Sequence, residues 1–242
     1  MIPLYDTIPT RRFPVVTVGL IVANVLVFLF ELSLPAHGLT TDGLFYRLGL
    51  IPYELVHQVD IPPRDLVPWP LTPLTSQFLH AGWLHIIFNM LFLWIFGNNV
   101  EDAMGRLKFL VFYLVCGLAA ALAQSLVVPG STAPTIGASG AIAGVLGAYI
   151  VLYPRAQVLS WVFFLIVPLP AWLWLGIWFV TQLFEGAATL GRTGGVAYFA
   201  HIGGFVTGLV LVFVFAAGRR AELRRARRLP PGYGGWRGGG WA

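Results

Sequence analysis

Four polar side chains stand in stretches of sequence that are otherwise apolar enough to lie in a membrane: Ser139, His201, His85 and Asn89. A serine hydroxyl is a weak nucleophile until a base takes its proton, and a histidine within hydrogen-bond reach is the usual base. Ser139 lies in Gly137-Ala-Ser-Gly140, at the head of an apolar run that ends at Tyr153-Pro154. A serine that opens a helix is not packed into a preceding turn. The free N–H groups of that first turn also favour negative charge, as a tetrahedral oxyanion requires. Flanking glycines let backbone or substrate approach closely. His85 and Asn89 are four apart and share one helix face. Both donate hydrogen bonds, so they suit an oxyanion hole supplied from a neighbouring helix. No Asp or Glu falls at matching depth, since Glu31 and Glu185 sit near span ends. The pattern therefore predicts a Ser139–His201 dyad with no acid to orient the imidazole.

Such a dyad needs elements that hold it inside a membrane, and the composition provides them. Of 242 residues, 57% are hydrophobic and only 10% charged, against about 45–50% and about 25% in soluble domains. This excludes an ordinary soluble enzyme and predicts an all-α polytopic membrane protein. The single cysteine, Cys116, excludes an intramolecular disulfide and a CxxC redox motif. Much of the net charge of +5 sits in Arg219-Arg-Ala-Glu-Leu-Arg-Arg-Ala-Arg-Arg228. A basic cluster directly after an apolar run reads as a cytoplasmic flank facing anionic lipid, not as a nucleic-acid site.

Apolar runs predict six spans: Phe13–Leu34, Trp83–Val100, Leu107–Val128, Ser139–Tyr153, Val158 to about Glu185, and Val196–Ala217. Arg11-Arg12 before the first run resemble a signal peptide, but the run is too long for one and lacks a good cleavage site. Residues 35–82 form a long, proline-rich first loop that should pack on the bundle. Residues 1–12 are expected as a cytoplasmic N-terminus and 13–217 as the membrane domain. The Arg/Gly-rich tail 218–242 is expected to be cytoplasmic and disordered. With both ends inside, 12 of the 15 Lys and Arg residues are cytoplasmic, and only Arg47, Arg64 and Arg192 fall outside. The positive-inside rule selects this orientation.

At about 1.5 Å rise per residue in a core about 30 Å thick, Ser139 lies about 9 Å and His201 about 6 Å below the outer surface. His85 and Asn89 bracket that level. The uncharged segment 131–138 lies there too, which is tolerable only when buried in protein or lining a cavity. A water-holding pocket open to the outside is expected. Gly140, Ala143, Gly144 and Gly147 on the fourth span, and Gly204 and Gly208 on the sixth, would let those two helices approach closely. That contact would carry His201 to Ser139.

The chain resembles the rhomboid family of intramembrane serine proteases. The resemblance covers roughly residues 11–217. Its motifs, in family order, are Phe78-Leu-His-Ala-Gly-Trp-Leu-His-Ile-Ile-Phe-Asn-Met-Leu-Phe-Leu-Trp-Ile-Phe-Gly97, Val100-Glu-Asp-Ala-Met-Gly105, Gly137-Ala-Ser-Gly140 and Ala200-His-Ile-Gly-Gly-Phe-Val-Thr-Gly208. It implies six helices, a Ser139 nucleophile, a His201 base, and oxyanion donors from His85, Asn89 and the Ser139 amide. It implies a membrane-protein substrate cut within or beside its transmembrane helix, with no metal or cofactor. It also implies structural roles for Glu101, Gly105 and His80, and a bacterial plasma membrane as location. Two positions depart from the pattern of some members. Trp69 is followed by Pro70 rather than arginine, and Ala143 stands where an aromatic would pack on the histidine, so His201 must be held by another group. Three other readings stay open. They are a non-catalytic binder of transmembrane helices, a transporter using the same polar slab, and a metal site at His80, His85 and His201. The transporter lacks paired charges and a visible repeat, and the metal site lacks a carboxylate.

Overall fold

The computed structural model describes residues 1–62, 66–190 and 195–228, with 223–228 by backbone alone. Arg64, Arg192, Arg237 and the Gly-rich tail 229–242 lie outside the described residues. Strand β1 (Ile2–Asp6) precedes helix α1 (Val15–Ser33). Three short helices follow: α2 (Thr41–Leu48), α3 (Pro52–His57) and α4 (Thr72–Thr75). Helix α5 (Trp83–Phe92) runs through a π turn, Leu93–Gly97, into α6 (Asn98–Met104), and α7 (Arg106–Val127) comes next. Then come α8 (Ser139–Leu152), strands β2 (Gln157–Val162) and β3 (Leu165–Pro170), and helices α9 (Ala171–Ala188), α10 (Tyr198–Phe215) and α11 (Ala217–Arg228).

Among the described residues, four stretches are long and apolar enough to cross a membrane: Val15–His37, Trp83–Met104, Arg106–Val127 and Tyr198–Phe215. Their outward faces carry large exposed apolar side chains such as Leu26, Leu107, Leu126 and Val214. Such a surface suits hydrocarbon, not water. Helix α8 is apolar but has only 14 residues, and every residue from Gly140 to Tyr149 is buried. An all-round apolar helix belongs at the centre of a bundle, and α7 and α10 both pack on this one.

The α8–α10 contact is made backbone to backbone. A Cβ added at Gly204 would lie 2.0 Å from the Gly140 carbonyl oxygen, and one at Gly208 would lie 1.9 Å from that of Gly144. On the opposite helix, a Cβ at Gly147 would meet the Phe205 carbonyl oxygen at 2.1 Å. Even alanine cannot fit at these positions without separating the helices.

Helix α1 starts after Pro14 with no side-chain cap of its own. Glu101 of α6 does that work from across the fold. Its carboxylate accepts the Val16 N–H at 3.0 Å, the Thr17 N–H at 2.7 Å and the Thr17 hydroxyl at 2.8 Å. A carboxylate there satisfies orphan amides and complements the helix dipole. Four residues on, Gly105 at φ 83° turns the chain from α6 into α7, a conformation favourable to glycine.

The structure corrects three expectations. The protein is not all-α. Residues 158–170, expected as the start of the fifth span, form the β2–β3 hairpin, and β1 completes a three-stranded antiparallel sheet in the order β1-β2-β3. The cause is local. Val158, Trp161, Val162 and Val167 favour strand, Pro168 breaks a helix, and Pro170 precedes the first turn of α9. The first loop, 35–82, is not merely a loop but holds α2, α3 and α4. The tail does not lose order at Gly218, because α11 continues to Arg228. Its Ala, Arg, Leu and Glu residues are good helix formers, and Arg219 pairs with Glu222 at 2.7 Å.

The sheet is fastened to the C-terminal half of α8 by Asp6. This buried carboxylate accepts hydrogen bonds from the Tyr149 hydroxyl and, at 2.7 Å, from Asn99 Nδ2. Burial raises its pKa to about 6, outweighing the lowering effect of those bonds. Because the folded value lies above the unfolded one, protonation favours the fold. That stabilisation is complete below about pH 4 and lost as pH rises through about 6. Denaturant titration of the purified protein should therefore show stability falling by about 1 kcal/mol between pH 5 and 7. The slope should flatten in Asp6→Asn, and an unchanged slope would place Asp6 in water.

Candidate active site

Segment 131–138 delivers Ser139, and the first loop holds that segment in place. Leu50 and Thr135 exchange backbone hydrogen bonds at 3.1 and 2.7 Å, the Gly137 N–H donates to the Ser76 carbonyl at 2.8 Å, and the Tyr53 N–H donates to that of Ser131 at 2.9 Å. Irregular backbone beside a membrane helix thus finds partners within the protein. The first helical bond of α8 runs from the Ile142 N–H to the Ala138 carbonyl, 3.0 Å. The Ser139 amide therefore lies in the turn whose donors have no helical acceptor.

Helix α10 starts at Tyr198, and Gln124 of α7 steadies that start by accepting the Ala200 N–H at 3.2 Å. His201 thus occupies the first turn of α10, and its Nε2 lies 2.8 Å from Ser139 Oγ. Both residues are half-buried. The other ring nitrogen, Nδ1, lies 2.7 Å from Oε1 of Gln182 on α9. The Gln182 amide is itself oriented, with Nε2 donating to the Trp178 carbonyl at 3.3 Å. With its NH2 group turned to a carbonyl, Gln182 presents only an acceptor to the imidazole. Nδ1 must then carry the proton, which leaves the Nε2 lone pair facing the serine hydroxyl. This is the tautomer a general base requires. Trp178 and Tyr198 flank the same ring at centroid distances of 6.0 and 6.3 Å. These three residues supply the support that Ala143 cannot.

His85 and Asn89 share a face of α5. The Ala81 N–H donates to His85 Nδ1 at 3.3 Å, so His85 Nε2 carries the proton. A Cβ added at Gly137 would lie 2.7 Å from that Nε2 and 3.7 Å from Ser139 Oγ. With φ at 122°, Gly137 combines a conformation and a clearance that no side chain tolerates. Asn89 is buried, and its Nδ2 donates to no group of the protein among the described residues. A buried amide donor without an acceptor costs about 1–3 kcal/mol. It is affordable where an acceptor arrives with a ligand. A cavity of about 30 Å³, lined in part by Ser76, Gly137, Ser139 and Ala200, adjoins the serine. It has room for a water molecule. His80 stays outside this group. Its backbone N–H donates to Glu31 at 3.1 Å, and its ring stands 5.0 Å from that of His85.

Sequence reasoning missed Gln182, Trp178, Tyr198 and Gln124. Gln182 carries one readable signal, being the lone side-chain amide between residues 158 and 184.

Comparison with known proteins places the sequence in one family. The rhomboid domain model covers residues 69–218. Rhomboid protein 1, mitochondrial, of Saccharomyces cerevisiae is 32% identical over 171 residues, 69% of this chain and 47% of that protein. Rhomboid-like protein 11, chloroplastic, of Arabidopsis thaliana is 31% identical over 153 residues, 59% of this chain and 51% of its own length. Rhomboid protease GluP of Bacillus subtilis is 42% identical over 88 residues, 36% of this chain and 17% of its own length. The chain thus spans about half the length of the first two relatives. The matched region runs from the first loop through α10 and contains Ser139, His201, His85, Asn89 and Gln182. With more than half its residues inside that domain model, this integral membrane protein belongs to the rhomboid family.

Proposed function

We propose that the chain is an intramembrane serine endopeptidase that cleaves transmembrane or juxtamembrane segments of membrane proteins. The observation that carries the proposal is the 2.8 Å contact between Ser139 Oγ and His201 Nε2 at the head of a helix too short to span the bilayer. In this reading α8 and α9 join the four longer spans to make six. Both termini are cytoplasmic, residues 13–217 form the catalytic unit, and the dyad lies just below the outer face.

His201 Nε2 takes the Ser139 proton as Oγ attacks the scissile carbonyl carbon. The new alkoxide is met by the Ser139 N–H, the Asn89 Nδ2–H and the His85 Nε2–H. Collapse of the tetrahedral intermediate breaks the C–N bond, and His201 gives its proton to the departing amine. Water then attacks the Ser139 ester with the same imidazole as base, which releases the acid and restores the hydroxyl. Throughout, Gln182 Oε1 accepts the Nδ1–H bond. It steadies the imidazolium as a neutral acceptor where other hydrolases use a carboxylate.

Two measurements test this reading. In proteoliposomes with a single-span substrate, Ser139→Ala and His201→Ala should each lower cleavage by about 10³-fold or more. Undiminished cleavage in either variant contradicts the dyad, and substrate capture without any wild-type product favours a non-catalytic binder. Gln182→Leu should lower kcat by about tenfold to a hundredfold with KM little changed. Gln182→Glu should retain more activity but move the acid limb of the rate profile to higher pH, because an anion at Nδ1 favours the imidazolium. Equal kcat and an identical pH profile in both variants would reduce Gln182 to a packing residue.

A further inference from the structure

Three membrane-length helices have ends at one cleft. The segment leading into α1, the end of α6 and the first residue of α7 surround about 250 Å³ of space lined in part by Arg12, Phe13, Glu101, Asp102 and Arg106. The ends of spanning helices mark the depth of lipid headgroups, so this cleft faces the headgroup layer. The basic residues that line it are uncommitted. Arg12 and Arg106 pair with no protein group among the described residues, and Asp102 pairs with neither of them. Glu101 directs its oxygens to the α1 amides and Thr17 and makes no ion pair with either arginine among the described residues. At the rim, Phe13 and Leu107 are 65% and 75% exposed, offering apolar surface where acyl chains would leave a seated headgroup.

We propose that this cleft binds one phospholipid of the inner leaflet, with the phosphate on Arg12 and Arg106 and a headgroup amine on Asp102. Guanidinium groups are suited to phosphate oxygens, which accept from them in bidentate fashion. The Asp102 carboxylate beside them selects a headgroup that also carries a cation, of the phosphatidylethanolamine kind, over purely anionic phosphatidylglycerol. Phosphatidylcholine has the same charges, but its methylated cation cannot donate a hydrogen bond to Asp102. A bound lipid would bridge the start of α1 and the α6–α7 turn, the same two places that Glu101 joins from within. The site lies apart from Ser139 and does not depend on the protease reading.

The test uses the full chain, moved from nanodiscs of equal phosphatidylethanolamine, phosphatidylglycerol and phosphatidylcholine into mild detergent, with retained lipid read by native mass spectrometry. Wild type should keep phosphatidylethanolamine in preference to the other two, a result that needs no variant. Arg12→Gln and Arg106→Gln should each lose about tenfold in retention, and Asp102→Asn should lose the preference over phosphatidylglycerol. Equal retention of all three lipids by wild type would overturn the proposal. So would wild-type retention in the Arg12→Gln/Arg106→Gln protein. Displacement by soluble glycerophosphoethanolamine as effective as that by the intact lipid would also overturn it, making the cleft a site for a small solute.

Discussion

Helices α8 and α10 touch along their backbones, and the rest of the structure is arranged around that contact. Lipid offers no hydrophobic drive between two apolar helices, so close packing and directed polar bonds must hold them. Gly147 on one side, and Gly204 and Gly208 on the other, let the two backbones meet, while Gly140 and Gly144 also clear Ala120 and Cys116 of α7. The hydroxyl of Ser139 and the imidazole of His201 extend from the first turns of the two helices. Their 2.8 Å separation follows from this helix contact together with the loop that leads into Ser139. A side chain at the seam would separate the backbones by ångströms and break that hydrogen bond.

Placing Ser139 inside a bundle demands that a helix begin at depth, and a helix start exposes amide groups where water is scarce. The fold answers with protein partners. The first loop lends the carbonyls of Leu50 and Ser76 to the segment ahead of α8. Glu101 performs the corresponding service for α1 at the other end of the molecule. At the site, the amide of Asn89 and the first turn of α8 hold donors with no protein acceptor among the described residues. A site holding donors without acceptors is prepared for charge that appears only during reaction.

Much of this was legible in the sequence, for identifiable reasons. Ser139, His201, His85 and Asn89 stand out because polar residues are costly in apolar spans. Rise per residue is a constant, so their shared depth follows from counting. The glycine spacing names the helices that meet. The β2–β3 hairpin was illegible because an uncharged run of residues 158–184 looks the same whether it all crosses the membrane or folds back first. Only the prolines at 168 and 170 separate the two, and a membrane helix also tolerates proline. Gln182 was obscured by the same ambiguity. Without the true start of α9 at Ala171, the rotation of that helix is unknown, and a glutamine on it has no assigned direction. Similarly, α11 was missed because the Gly-rich composition after residue 229 was extended over the helix-forming Arg, Ala and Glu residues before it.

The central claim is that the geometry around Ser139 makes it a nucleophile, whatever protein the site acts upon. The most direct measurement is covalent labelling of the purified full chain by a fluorophosphonate, with the modified residue mapped by mass spectrometry. The account predicts a label on Ser139 in the absence of any substrate, and its loss in His201→Ala. A label that persists on Ser139 without His201, or that never forms on the wild-type serine, would contradict it.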